Sequence, residues 1–387
     1  MDTFPLTVNG RSVSEYPDES RAVSAQDNIR RADDTFYDVF SNFRLLRYVN
    51  PVNWEKEKET FFEAWDSNQV YQPKFEYDAL PSGLSQWIRA LEGLSFGVSP
   101  LENCFAKARD ELLATLQLVE ARGSTMVTEK SIQVFGKVDP VLVKEGDALM
   151  KERQPKRLEP QTEMGIKALA TAVRDRIREA RIDGWDVVED PGIVPWAETD
   201  WTDRKIRLRP GMVLGRDMID RLLHHLIEVH VYRAVNGSRQ PYRAFVVGLD
   251  QFAETEEGLA VELEDRLGLL KPSVRRLYGG RVIAVHLAAQ QSFFDIFRKL
   301  VEFFSPEDAY TLTERSKRGL TDTSEPGGFL RDHIYLQGKK RIKLLTTAEL
   351  RLLYTGKIAV HHIRLVKEML AQHQLIEPAF FPSVLNG

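Results

Sequence analysis

Cysteine is nearly absent: Cys104 is the one thiol in 387 residues. A single thiol excludes an intrachain disulfide and a zinc cage built of thiolates, and it fits a reducing, cytoplasmic setting. No run of about 18 apolar residues occurs, so no membrane span is expected. Neither sign of charge is in large excess. Fifty-three Lys and Arg stand against 57 Asp and Glu, a net charge of −4, which gives no electrostatic reason to expect nucleic-acid binding. The opening "MDTFPLTVNGRSVSEYPDES" lacks a basic end followed by an apolar stretch, so no secretory leader is expected. Internal repeats and low-complexity blocks are missing too. What remains is an ordinary globular composition, 43% hydrophobic and 28% charged, in a chain too long for one small core.

Residues 1–28 are polar and turn-rich and read as a flexible arm. Apolar residues at three- and four-residue steps then predict a helical subdomain over 29–153, in which Ser99-Pro100 opens one helix as cap and first-turn proline. "QPKRLEPQ" (154–161), polar with two prolines, reads as a linker. Residues 162–387 differ in texture. "WDVVED" and "RKIRLRPG" read as short strands, the second alternating basic and apolar residues, and "RVIAV" before His286 also looks strand-like. A further helix is expected over Asp217 to Val235, closed by Asn236-Gly237. The fold class is therefore α+β and helix-rich, with a small sheet beside that helix.

The sequence "RLLHHLIEVH" (221–230) carries the most chemistry per residue. Zinc takes imidazole nitrogen and carboxylate oxygen, usually three protein ligands at a catalytic site. His224 and Glu228 are four apart and share a helix face, and His225 and Glu228 are also neighbours. His225 and His230 are five apart and diverge by roughly 140° on a regular helix. Chelation of one ion by that pair requires a helix that is locally overwound or carries a π-bulge. Downstream, "TEEGLA" places Glu256 and Glu257 at the start of another helix after Thr255, where carboxylates also offset the helix dipole.

Taken together, "HHLIEVHVYRAVNGSRQP" and "TEEGLAVELE" resemble the microtubule-associated tyrosine carboxypeptidase family, whose bacterial relatives carry a Gln-Glu-Gly-Leu-Ala motif. The family pattern is His-Glu-x-x-x-His, then Arg, Asn-Gly or Asn-Asn, Gln-Pro and Glu-Gly-Leu-Ala. His225 and His230 match its two histidines, Arg233, Asn236, Gln240 and Pro241 the intervening positions, and Glu257 its third ligand. Softer likeness extends to "YVNPVNWEKEKETFF", "QPKFEY", "SIQVFGKVDPVLV", "ERSKRGL", "PGGFLRDHIYLQG" and "YTGKI", so most of the chain from about residue 30 is covered. The resemblance implies a zincin-like metallopeptidase core over 162–387 and zinc-dependent removal of a C-terminal residue, tyrosine or another aromatic, from a peptide or protein. Eukaryotic members act on α-tubulin. No long basic extension for gripping a microtubule is seen here, so that partner is not carried over.

One position departs from the pattern. The family's glutamate after the first histidine, which takes a proton from the attacking water, aligns with Leu226. Leucine is no base. An engineered replacement, a natural loss of hydrolysis and a base supplied elsewhere, with Glu228 the nearest candidate, all accommodate it. A non-catalytic peptide-binding protein or regulator that keeps the scaffold is the competing reading. For the substrate carboxylate the candidates are Arg315, Lys317, Arg318 and Arg331, because guanidinium and ammonium groups neutralise it. Tyr335 is the candidate donor to the oxyanion. Gly327-Gly328 permits a close backbone approach or a mobile loop. His333 reads as a pocket or surface residue, and His361-His362 as structural or exposed. The donor set suits zinc, though iron uses the same ligand types.

Overall fold

The computed structural model describes residues 19–153, 163–193 and 196–385. The expected linker at 154–161 and the first 18 residues of the expected arm lie outside them. The arm is shorter than its composition implies, because a helix already begins at Glu19 and runs to Asn42. Its periodic apolar face (Ile29, Ala32, Phe36, Val39) is buried, and Asp33 accepts from the backbone N–H of Arg243 and Ala244 at 2.9 and 2.7 Å. One hydrophobic core runs from Ile29 to Leu385 through both halves of the chain. A second, aromatic cluster gathers Phe61, Phe293, Phe297 and Tyr310. Among the described residues no helix is long and apolar enough to cross a membrane.

The chain is helix-rich α+β, with short strands only. β1 (Met164–Gly165) pairs antiparallel with β5 (Val213–Leu214). β2 (Asp186–Glu189), β3 (Ala197–Asp200) and β4 (Lys205–Leu208) form a sheet in the order β2-β4-β3, with β4 parallel to β2 and antiparallel to β3. Alternation explains β4: Ile206 and Leu208 are fully buried, while Arg207 on the other face pairs with Asp190, Asp200 and Asp203. β3 is an edge strand and lies against the histidine helix.

Two corrections come from packing that local pattern does not reveal. "RVIAV" is helical, inside Pro272–Ala288. That helix lies on helix Pro140–Met150 across a glycine contact, where a Cβ on Gly279 would stand 2.5 Å from the Gly146 carbonyl oxygen. Asn236 and Gly237 do not end the histidine helix, which continues to Ser238. Asn236 is used for its amide, which donates to Phe380 O and accepts from the N–H groups of Ala379 and Phe380. Gly237 is used for its missing side chain, because a Cβ there would sit 2.3 Å from Phe245 O.

The helix that carries Glu256 and Glu257 spans Phe252–Arg266, so these residues stand beyond its first turn and are not dipole-offsetting acids. It begins after Gln251, whose φ is +55°, and no side chain of its own caps it. Glu111, half-buried on helix Pro100–Glu120, accepts instead from the Gln251 N–H at 2.7 Å. The same helix crosses helix Ile334–Ile342 at backbone contact: a Cβ on Gly258 would lie 2.2 Å from Gly338 C, and one on Gly338 2.0 Å from Glu254 O.

This crossing predicts that Gly258→Ala costs about 3 kcal/mol or more, since neither backbone can retreat alone. A drop in denaturation midpoint should show it, with Gly165→Ala, which meets nothing within 4 Å, as the neutral control. A pH effect follows at Glu111. Burial, with the Asp250 and Glu254 charges, pushes its pKa up to about 8. A carboxyl whose folded pKa exceeds its unfolded value stabilises fully below about pH 4.5, and that contribution is lost as pH rises toward 8. Glu111→Gln keeps the acceptor and removes the loss. Its melting temperature should exceed the parent's by about 2 °C at pH 8 and by nothing at pH 4.5.

Candidate metal centre

The histidine helix is built of three registers. Arg216–Leu223 is α-helical, His224–Val231 is a π-helix, and Tyr232–Ser238 is α-helical again. Bonds from i to i+5 bring residues five apart onto one face. The ring centroids of His225 and His230 are accordingly 5.0 Å apart. Glu257 completes the group: one ligand atom from each of His225, His230 and Glu257 lies within 4.8 Å of the others. His225 Nε2 stands 3.4 Å from Glu257 Oε2, a buried oxygen that makes no hydrogen bond. Two ligands about 2.0–2.1 Å from a tetrahedral ion are separated by about that distance. The donor set, the separation and the orphaned oxygen all fit a divalent ion of the zinc type.

Each imidazole is held from behind by a second carboxylate of the same helix. His225 Nδ1 is 3.0 Å from Glu264 Oε1, and Glu264 also accepts from the Tyr278 hydroxyl at 3.2 Å. His230 Nδ1 is 3.2 Å from Glu256 Oε2, whose other oxygen accepts from Arg233 Nη1 at 3.2 Å. Both rings are thereby left with Nε2 for a ligand, the outer arrangement that fixes tautomer and orientation in histidine metal sites. Arg233 is fully buried and donates as well to the carbonyls of Leu353, Gly356 and Ile358. Arg331 Nη2 donates to Glu257 Oε1 at 2.7 Å, which leaves Oε2 facing His225.

Electrostatics match this arrangement. Burial favours a neutral His225, but the Glu257 and Glu264 carboxylates overcome it and push the ring up to about 9. Burial likewise opposes ionisation of Glu257, yet His225 and the Arg331 charge hold it well below the usual carboxylate range. The cluster is a buried negative site balanced by cations, which is where a divalent ion displaces protons.

A cavity of about 530 Å³ opens onto the three residues. Leu226 lines it, 4% exposed, so the position that would carry a base presents methyl groups. Glu228 does not line it; it turns away to accept from Arg176 and to contact His224 Nδ1 at 2.6 Å. Tyr335 lines the cavity. Among the cationic candidates, Arg331 and Arg315 line it too, but Arg331 is held by Glu257 and Arg315 by both oxygens of Asp332. Arg318 lines it with its fork closed on Glu314 at 2.8 and 2.9 Å. Lys317 does not reach it. Its buried ammonium donates to the Gln291 and Glu325 carbonyls, and burial lowers its pKa to about 8.

His333 is neither in the cavity nor on the surface; it is fully buried, with Nδ1 3.0 Å from Leu330 O. His361 and His362 share a carboxylate that the local sequence hides, Asp250, at 3.0 and 2.9 Å. Gly328 marks a close approach, because a Cβ would meet Ser316 O at 2.1 Å. Glu264, Tyr278, Arg221 and Arg281 escape sequence reasoning. For Glu264 a signal exists: it lies seven residues, two helical turns, after Glu257 and so on the same face.

Comparison with known proteins places the chain in a family. The family profile described as microtubule-associated tyrosine carboxypeptidase matches residues 59–386. Microtubule-associated tyrosine carboxypeptidase 1 of Rattus norvegicus is 34% identical over 88% of this chain and 65% of its own length. Its Mus musculus counterpart is 27% identical over 77% of this chain and 56% of its own length. The putative tyrosine carboxypeptidase MATCAP2 of Mus musculus is 24% identical over 87% of this chain and 58% of its own length. The chain thus spans between just over half and about two thirds of these relatives. With a match across most of its length, the chain belongs to the microtubule-associated tyrosine carboxypeptidase family.

Proposed function

We propose that the cavity receives the C-terminus of a peptide or protein beside a zinc ion held by His225, His230 and Glu257, in a zincin-like carboxypeptidase scaffold whose hydrolysis is impaired at Leu226. The observation that carries this reading is the pair of imidazoles, each pinned at Nδ1 by its own carboxylate, converging with a buried, unbonded Glu257 oxygen. Zinc supplies Lewis-acid polarisation of a carbonyl and a lower pKa for water. The chain supplies the rest. Glu264 and Glu256 fix the tautomers, Arg331 orients Glu257, and Tyr335 donates to the oxyanion that develops on the attacked carbonyl. Leu226 neither accepts the proton of the attacking water nor returns it to the leaving amine. The cavity walls beside the site include Met218, Leu222, Leu277 and Tyr278, which suit an aromatic or large apolar terminal residue.

A second reading, a peptide-binding protein without turnover, is favoured by two facts: Leu226 fills the base position, and Glu228 is committed to Arg176 and His224 outside the cavity. Restoration separates the two. A general base contributes about 10²–10⁴-fold. Leu226→Glu, assayed on a mixed library of peptide C-termini, should therefore gain cleavage by about 100-fold or more. Full zinc loading with no gain would assign the chain to binding.

The metal has its own test. Elemental analysis should find about one zinc per chain, and His225→Ala or Glu257→Ala should remove it. Stoichiometric zinc in either variant would sink the ligand assignment. Glu264→Gln, which weakens the support behind His225, should lower zinc affinity by about 10–100-fold without abolishing binding.

A further inference from the structure

The charged groups at one end of the cavity are unevenly satisfied. Arg221, Arg281, Arg315 and Arg331 line the cavity, as do the carboxylates of Glu257, Glu264 and Asp332. The pairing of these groups shows which donors are left over. Arg315 occupies both oxygens of Asp332, and Arg331 holds Glu257. Glu264 is shared between His225 and Tyr278, with Arg221 Nη1 only at 3.7 Å. Arg281 comes no nearer to a carboxylate than 4.0 Å, from Nε to Asp332 Oδ2. Arg281 Nη1 and Arg221 Nε are both shielded from solvent and make no hydrogen bond. A buried N–H without an acceptor is costly, and native structures seldom leave one unless a ligand supplies the acceptor.

The surroundings of Arg281 narrow the ligand. Its guanidinium lies 4.4 Å from the Tyr335 ring centroid and 5.0 Å from that of Tyr278, a stacking that holds the plane. On the same helix, Val274, Leu277 and Tyr278 precede it at steps of three and four residues and line the same cavity. An apolar stripe thus ends in a positioned fork, and Tyr278 links that stripe to the metal site through Glu264 and His225.

We propose that Arg281, flanked by Arg221, is the receptor for the free α-carboxylate of the bound peptide, with the terminal side chain lying along Val274, Leu277 and Tyr278. A planar monoanion supplies the missing acceptors, and the fork of Arg281 matches a carboxylate in shape. Arg315, Arg318 and Arg331 are excluded from this role by the partners they already hold. The assignment rests on the carboxypeptidase-like reading above.

Peptide binding to the zinc-loaded chain tests it with a readout that does not depend on turnover. The probe is a fluorescein-labelled Ala-Ala-Ala-Ala-Tyr peptide with either a free or an amidated C-terminus, followed by anisotropy. The free acid is expected to bind about tenfold or more tightly than the amide. Arg281→Gln should abolish that ratio by weakening the acid alone, with zinc content and melting temperature unchanged, and Arg281→Lys should restore part of it. An acid preference that survives Arg281→Gln overturns the assignment and leaves the peptide-binding reading intact. Equal binding of acid and amide by the parent chain also overturns it. Absence of binding by either peptide overturns both this assignment and the reading on which it rests.

Discussion

The spacing of His225 and His230 governs the site. Five residues on an α-helix place two side chains roughly 140° apart, too far around the cylinder to meet at one ion. The π-helical register over His224–Val231 removes that divergence. It is an unfavourable register in isolation, and the packing here holds it from every side. Ile227, Val229 and Val231 are fully buried, so a slip back to α-geometry would rotate apolar side chains out of the core. On the outer face Arg176 and His224 grip Glu228. On the inner face Glu264 and Glu256 grip the two imidazoles. The ligand geometry is therefore a property of two helices docked together.

A second docking, on the other side of the glutamate helix, depends on glycine. The Gly258–Gly338 contact lets the glutamate helix cross helix Ile334–Ile342 at backbone distance, which brings Glu257 and Tyr335 to the same cavity. The Gly-Leu-Ala that follows Glu257 is thus a packing element with no ligand role: Gly258 makes the crossing, and Leu259 and Ala260 are buried beneath it. Glu111 reaches from an N-terminal helix to the start of the glutamate helix, so residues far from the metal group by sequence also help to place it.

Much of this is legible in the sequence because it is local. If the five-residue histidine pair is to meet, the step calls for overwinding or a π-bulge, and the structure has the π-register; alternation in "RKIRLRPG" calls for a strand and Ser99-Pro100 for a helix start, and both are present. The illegible part involves partners far apart in the chain. Lys317 looks like a free cation, yet its ammonium is consumed by carbonyls 26 and 8 residues away. His361 and His362 lack an acid nearby, yet share Asp250 from 111 and 112 residues away. Arg281 sits in a stretch that reads as a strand because of "RVIAV", and only the helix that packs through Gly279 turns it to the cavity. Arg315, Arg318 and Arg331 are recognisable as cations near the site, but which of them is already paired depends on Asp332, Glu314 and Glu257 in three dimensions.

Leu226 separates two properties that usually occur together. The ligands, the carboxylates behind them and the arginines of the cavity wall require nothing from the side chain at 226, which points methyl groups at the cavity and packs in the main core. On the reading proposed above, binding geometry and proton transfer would be carried by different residues. A carboxylate at 226 would also add a fourth acid to a cluster that already contains Glu256, Glu257 and Glu264, and buried like charges repel. Leucine relieves that repulsion, so the scaffold with Leu226 should hold its shape without a metal more readily than one with glutamate.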